Sequence, residues 1–252
     1  MPEDIAVTAD LYPQSTRIYS RNKELLYQYS PSGTRLYVKL EGLPDHLVDA
    51  FLAVEDHRFY KHNGVSPIAI TRAALANFQA GEPVQGGSTI TQQLARILFL
   101  SPEVTLERKF KEMVLAFRLE QAYSKRDILE LYLNKISFGS NIHGIEAASL
   151  AFFNKHASEL TLEEAAVLAA MPKAPTTLFP YRNKDKLLKR QEVVLDLMAK
   201  YGYATPGRIR LAKEKEMKFK EIEHKISAPH FVFYTLDKLR EKVGPDAVVQ
   251  GF

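Results

Sequence analysis

The sequence predicts a mainly α-helical fold with one small β element near the N-terminus. Three observations carry that prediction. From about Leu47 onward, apolar residues recur at helical spacing in one segment after another. Two pairs, Ser124 with Asp127 and Thr161 with Glu164, read as capping boxes that open helices. Only residues 15–40 carry short strand-like runs broken by turn residues.

In that β element, Arg17-Ile18-Tyr19 and Leu25 to Tyr29 flank Asn22-Lys23, a hairpin turn. Pro31-Ser32-Gly33 marks a second turn before Leu36-Tyr37-Val38. Leu47, Ala50, Phe51 and Val54 then fall at i, i+3, i+4 and i+7 and define the apolar face of a first helix. Glu55 and Asp56 stand at its C-terminal end, where the helix dipole disfavours carboxylates. Residues 65–85 are a modestly apolar segment with Ile68, Ile70 and Leu75, leaving through Gly81-Glu82-Pro83 and Gly86-Gly87. They read either as a surface helix with a loop or as a flap resting on a membrane.

Ser88 to Leu100 is amphipathic, with Ile90, Leu94, Ile97 and Leu98 on one face and Ser88, Gln92 and Arg96 in a polar stripe beside Thr89 and Gln93. A solvated face would carry Lys and Glu; hydroxyls, amides and a guanidinium near a helix N-terminus suit an anion or a sugar. Thr105 to Tyr123 is apolar on two sides, which predicts a buried central helix, with Arg108, Lys109 and Glu112 on one face of its N-terminal half. Helices follow from Lys125 to Asn134, from Ile145 to Phe153, from Thr161 to Pro172, from Lys184 to Tyr201, after Thr205-Pro206, and from Phe231 to Lys242.

The 252 residues are 46 % apolar, enough for a substantial core. The 34 Lys and Arg against 30 Asp and Glu leave a charge of +4. This mild basicity suits nucleic acid, an anionic membrane surface or a phosphorylated substrate, and selects none of them. There is no cysteine, so no disulfide framework and no thiolate metal site. No apolar run reaches the ~18–20 residues that span a bilayer, and the first residues are not a signal peptide.

Two stretches concentrate chemistry: Glu55 to Gly64, and Gly86 to Glu112. Glu55 and Glu112 are carboxylates on different helices, and such a pair flanking a sugar suggests glycosyl chemistry. Arg58, Arg96, Arg108 and Lys109 suit a phosphate leaving group. Hydrolysis of a plain glycan would not need so many cations, so the set favours transfer from a sugar diphosphate. Glu112 is a candidate ligand for a divalent cation, but no spaced ligand cluster accompanies it. His57 and His62 lack the i, i+4 spacing of a zinc pair.

At these residues the chain resembles the peptidoglycan glycosyltransferases of class A penicillin-binding proteins and monofunctional transglycosylases, over roughly residues 43–198. E-D-x-x-F-x-x-H-x-G is met by Glu55, Asp56, Phe59, His62 and Gly64. G-x-S-T-I-T-Q-Q is met by Gly86, Ser88, Thr89, Ile90, Thr91, Gln92 and Gln93. R-K-x-x-E is met by Arg108, Lys109 and Glu112, and I-L-E-x-Y-L-N by Ile128, Leu129, Glu130, Tyr132, Leu133 and Asn134. A fifth, arginine-rich motif is met loosely by Lys189, Arg190, Val194 and Leu195. Arg96 stands where the family often has lysine, and Lys189 where it often has arginine.

The resemblance implies a lysozyme-like helical domain over residues 15–225, with a membrane-touching jaw at about 65–85. Residues 226–252 would lead into a transpeptidase domain of a longer parent. It implies polymerisation of lipid II into β-1,4-linked glycan, with inversion and release of undecaprenyl pyrophosphate. Glu55 would be the general base and Glu112 would serve the leaving group, directly or through a divalent cation such as Mg or Mn. Asp56, Arg58, Ser88, Thr89, Gln92, Gln93, Arg96, Arg108, Lys109 and Glu130 would contact substrate. The expected partners are lipid II, the growing glycan and the membrane surface, with no nucleic acid. The expected place is the outer face of the cytoplasmic membrane, with an N-terminal membrane anchor absent from this chain. A lytic glycosidase of the same architecture and a non-catalytic lipid- or glycan-binding module are the competing readings.

Overall fold

The computed structural model describes residues 16–29, 34–80, 86–101, 103, 105–220 and 228–243. The expected hairpin is present: β1 (Thr16–Tyr19) and β2 (Leu25–Tyr29) pair antiparallel, and Lys23 takes a positive φ of 63° in the connection. The expected turn at Pro31-Ser32-Gly33 and the exit at residues 81–85 lie outside the described residues.

The strand expected at residues 36–38 does not form. A two-residue strand, β3 (Thr34–Arg35), instead runs parallel to β4 (Ile142–His143), far along the chain. The backbone after β3 finds side-chain partners in place of a neighbouring strand. Asn134 Oδ1 accepts from Val38 N at 2.9 Å, and Asn134 Nδ2 donates to Val38 O at 2.8 Å. One buried amide thus satisfies both backbone groups of a residue, as a strand partner would.

The helices are α1 (Asp45–Glu55), α2 (Pro67–Ala80), α3 (Ile90–Phe99), α4 (Leu106–Ala122) and α5 (Lys125–Lys135). They continue with α6 (Ile145–Phe153), α7 (Leu162–Ala170), α8 (Pro180–Lys200), α9 (Pro206–Glu214) and α10 (Pro229–Val243). The capping box on α5 closes in both directions, while on α7 only its Glu164 half forms, the carboxylate accepting from Thr161 N at 2.9 Å. Asn183 leaves helical geometry, so the regular part of α8 begins after it, and Gly202 takes a φ of 80° just beyond the helix end.

The central helix is α7, not the segment 105–123. Apart from Glu164, every α7 residue is buried, and its alanines let α1 and α8 pack closely on it. α3 packs against α4 and α5 on the other side of the core. α4 buries only Glu112, Ala116 and Leu119; Leu106 is 91 %, Phe110 64 % and Phe117 50 % exposed. Its second apolar face therefore looks outward, which overturns the expectation of a helix buried on all sides.

A small second nucleus stands apart from this core. Ile18 of the hairpin is buried with Val232 and Leu236 of α10, flanked by Leu26, Tyr27 and Leu239. The hairpin, expected to go with residues up to 225, is thereby joined to α10 across that boundary. Among the described residues no helix is long and apolar enough to cross a membrane.

Candidate active site

The site begins where α1 ends. Asp56 caps the helix, and its carboxylate turns to the start of α3. Asp56 Oδ2 accepts from Ile90 N at 3.2 Å and meets His62 Nε2 at 2.8 Å. Thr89, the N-cap of α3, donates its hydroxyl to Gly64 O at 2.5 Å. Gly64 has a φ of 83°, and a Cβ there would stand 2.8 Å from the Ala116 backbone of α4. Only glycine allows that approach. The loop 56–64 is thus fastened at both ends, with Phe59 buried beneath the Lys125 ammonium at 4.3 Å.

This fastening brings the end of α1 against the first turn of α3. Gln93 Nε2 donates to Glu55 Oε2 at 2.7 Å, and Tyr132 of α5 donates its hydroxyl to Gln93 Oε1 at 3.3 Å. Burial pushes the Glu55 carboxyl above the usual glutamate range, outweighing the Gln93 hydrogen bond and the pull of Arg190 and Arg96. Glu55 opens on a cleft of about 580 Å³ whose other charged lining groups are Arg72, Arg96, Lys173 and Arg190. One carboxylate therefore faces four cations. A smaller recess beside it is lined by Arg58, Ser66, Arg72, Ser88 and His57, whose ring stacks on Tyr201 at 4.0 Å. Burial, and then the nearby Arg72 charge, hold the His57 imidazole below its usual range.

Lys109 reaches the cleft through Ser88. Its ammonium donates to Ser88 Oγ at 2.6 Å and to Glu112 Oε1 at 2.5 Å. Arg108 Nη1 donates to Glu112 Oε2 at 3.1 Å. Glu112 is 1 % exposed, so it is a buried counter-charge that holds two cations in place. Both its oxygens are taken by cations, and among the described residues no group of three His, Cys, Asp or Glu could hold a metal ion. This donor set does not fit a resident divalent cation.

The twelve residues picked from the sequence divide accordingly. Glu55, Ser88, Gln93 and Arg96 line the main cleft, and Arg58 the recess beside it. Arg108, Lys109 and Glu112 form one ion cluster against Ser88. Asp56 and Thr89 also border that recess, but with Gln92 they are committed to the internal bonds that build the start of α3, Gln92 Oε1 accepting from Thr89 N at 2.9 Å. The expected polar stripe is in this respect not a surface, because Gln92 is fully buried. Glu130 accepts from Tyr37 and from Leu40 N, clamping the segment after β3 onto α5.

Arg72, Lys173 and Arg190 were not picked as site residues. Arg72 had a readable signal: it is the lone charged residue of α2. Arg190 had one too, since it falls in the loosely met fifth motif, whereas Lys173 had none beyond charge; folding brings them to Glu55 from the middle of α8 and from a short turn after α7.

Comparison with known proteins gives a consistent picture. The sequence profile of the family described as Transglycosylase matches residues 22–199. Penicillin-binding protein 1A of Aquifex aeolicus is 45 % identical over 231 residues, covering 92 % of this chain and 31 % of its own length. Penicillin-binding protein 1A of Escherichia coli is 42 % identical over 99 % of this chain and 30 % of its own. This chain thus spans about three tenths of the length of these curated relatives. The crystal structure of penicillin-binding protein 1A from Haemophilus influenzae superposes with a TM-score of 0.56 over 94 % of this chain and 26 % of that one, at 22 % identity, and shows the fold.

Proposed function

The chain belongs to the transglycosylase family, the peptidoglycan glycosyltransferases of class A penicillin-binding proteins, and from that premise we propose that it polymerises lipid II into β-1,4-linked glycan. The observation that carries this reading is a single half-buried carboxylate, Glu55, facing four cations across one cleft. Glu55 takes the proton of the acceptor sugar's 4-hydroxyl. The freed oxygen attacks the donor's anomeric carbon from the face opposite the pyrophosphate, the configuration inverts, and undecaprenyl pyrophosphate leaves. A base with a raised pKa is matched to proton abstraction near neutral pH. The guanidiniums and ammonium of the cleft, with Lys109 behind Ser88, gather the negative charge that develops on the leaving group.

A chain that draws on lipid II works against a bilayer, and the domain would work at the outer face of the cytoplasmic membrane. Exposed apolar side chains support this: Ile68, Ile70 and Phe78 on α2, and an outward face of Leu106, Phe110 and Phe117 on α4. Residues 226–252 would then lead into a transpeptidase domain, with residues 15–225 as the glycosyltransferase.

The test is incubation of the purified chain with lipid II and sizing of the products. A ladder of long glycan is expected. Glu55→Gln keeps the size and most hydrogen bonding of the side chain but cannot accept the proton, so its rate should fall by roughly 10²–10⁴ while lipid II binding persists. Turnover by Glu55→Gln at the wild-type rate would sink the assignment.

A further inference from the structure

We infer that Tyr132 is a positioning residue: its hydroxyl locks the Gln93 amide in the one orientation that holds Glu55 as an open carboxylate. The inference rests on the reading of Glu55 as the base. Gln93 stands between the two groups, 2.7 Å from Glu55 through Nε2 and 3.3 Å from Tyr132 through Oε1.

A glutamine side chain presents a donor at one end and an acceptor at the other, and a half-turn exchanges them with almost no change of shape. An ionised Glu55 has only lone pairs to offer and accepts the NH₂ end. With the amide reversed, Oε1 would face the carboxyl, and the two oxygens could approach only if Glu55 kept its proton. The orientation of Gln93 therefore decides whether its neighbour is a base or an acid.

Tyr132 sets that orientation. It is fully buried on α5, with its ring edge-on to Phe51 at 6.5 Å between centroids. Its hydroxyl proton has the Gln93 oxygen as its acceptor. Reversing the amide would strand that proton in the core, at the full cost of a buried donor without a partner. Burial also drives the Tyr132 phenol well above its usual pKa, so the proton is held throughout the working range. The other charged groups facing Glu55 are Arg190 from α8, Arg96 from α3 and Asp56 at the end of α1, with Arg72 and Lys173 in the same cleft wall. None of them touches the amide oxygen of Gln93 among the described hydrogen bonds.

The sign follows from this. Donation by Gln93 lowers the Glu55 pKa against the upward push of burial. Tyr132→Phe removes the lock, lets the amide reverse, and should raise that pKa. The acid limb of the polymerisation rate should move to higher pH by about half a unit to one unit, a roughly three- to tenfold loss at a fixed pH below the limb, with near-recovery above it. A merely structural role would lower the rate at every pH alike.

The experiment has two readouts on the 252-residue chain carrying ¹³C-labelled glutamate. The first is the NMR titration of the Glu55 carboxyl carbon, assigned by its disappearance in Glu55→Gln. The second is the pH profile of glycan formation from lipid II. Phe fills the space of the tyrosine ring, and Gln93→Leu cuts the same link from its other end. Both variants should raise the Glu55 pKa, and the double variant should raise it no further than Gln93→Leu alone. A Glu55 titration in Tyr132→Phe that overlays the wild type, or additive shifts in the double variant, would overturn the inference. A raised pKa without a moved rate limb would leave the positioning intact and overturn Glu55 as the base, so the two failures are distinguishable.

Discussion

Glu55 carries opposite demands from folding and from chemistry, and the conflict can be measured. Burial holds its carboxyl above the ordinary range, so the folded chain keeps this proton more tightly than the unfolded one. Its contribution to stability is complete below the unfolded value of about 4.3 and is lost as pH rises through the raised folded value. Glu55→Gln has no such loss. The melting-temperature difference between Glu55→Gln and wild type should therefore grow in favour of the variant as pH is raised from the acid range to neutrality. Calorimetry across that range checks it, and a constant offset would mean that Glu55 titrates as it does in the open chain. Lys109 makes the second case at this scale. It bridges Glu112 and Ser88, so Lys109→Ala removes a charge aimed at the cleft. Loss of one such group should cost about 3–4 kcal/mol in the barrier, read by single-turnover glycan formation. A near wild-type rate would reduce Lys109 to a structural partner of Glu112.

Among the elements, α2 and α4 are those whose surroundings the sequence hides. Their outward apolar side chains, Ile68 and Phe78 on α2 and Phe110 and Phe117 on α4, are exposed, with no cover among the described residues. Changing Ile68 and Phe110 to Ser should weaken liposome binding while leaving the melting temperature within a few degrees, because both side chains are already in solvent. Unchanged binding by the folded double variant would remove the membrane from the account of these faces. Other elements show what was legible. Element positions followed from local pattern: caps at Ser124 and Thr161, the apolar face of α1, and the hairpin at Asn22-Lys23 were all readable. Periodicity could not say what covers an apolar face. That is why residues 105–123 read as the centre of the core, when the alanine-rich α7 holds that place. It likewise could not separate motif residues that face the cleft from those that build it. Asp56 and Glu130 carry the same chemistry as Glu55, and only tertiary contacts commit them to holding the fold together, whereas Gln92 is committed locally, by its capping box with Thr89. Lys173 and Arg190 come to Glu55 from more than a hundred residues along the chain, a proximity no local window contains.

At the scale of the whole molecule there are two nuclei of unequal size, the helical core and the small cluster of Ile18, Val232 and Leu236. Leu236→Ala should loosen the smaller one by about 2 kcal/mol or somewhat more. Hydrogen exchange should then quicken in the amides of β1 and β2 while those of α7 keep their protection, since the two nuclei share no buried residue. Equal acceleration in α7 would mean that the nuclei melt as one. The hairpin precedes the catalytic core in the chain and α10 follows it, so their contact closes the polypeptide around the active domain like a buckle on a strap. Tension applied along the chain would load that buckle first. It would open before the helical core and lengthen the molecule while the geometry around Glu55 stayed intact, so the chain would yield at its fastening before it yielded at its site.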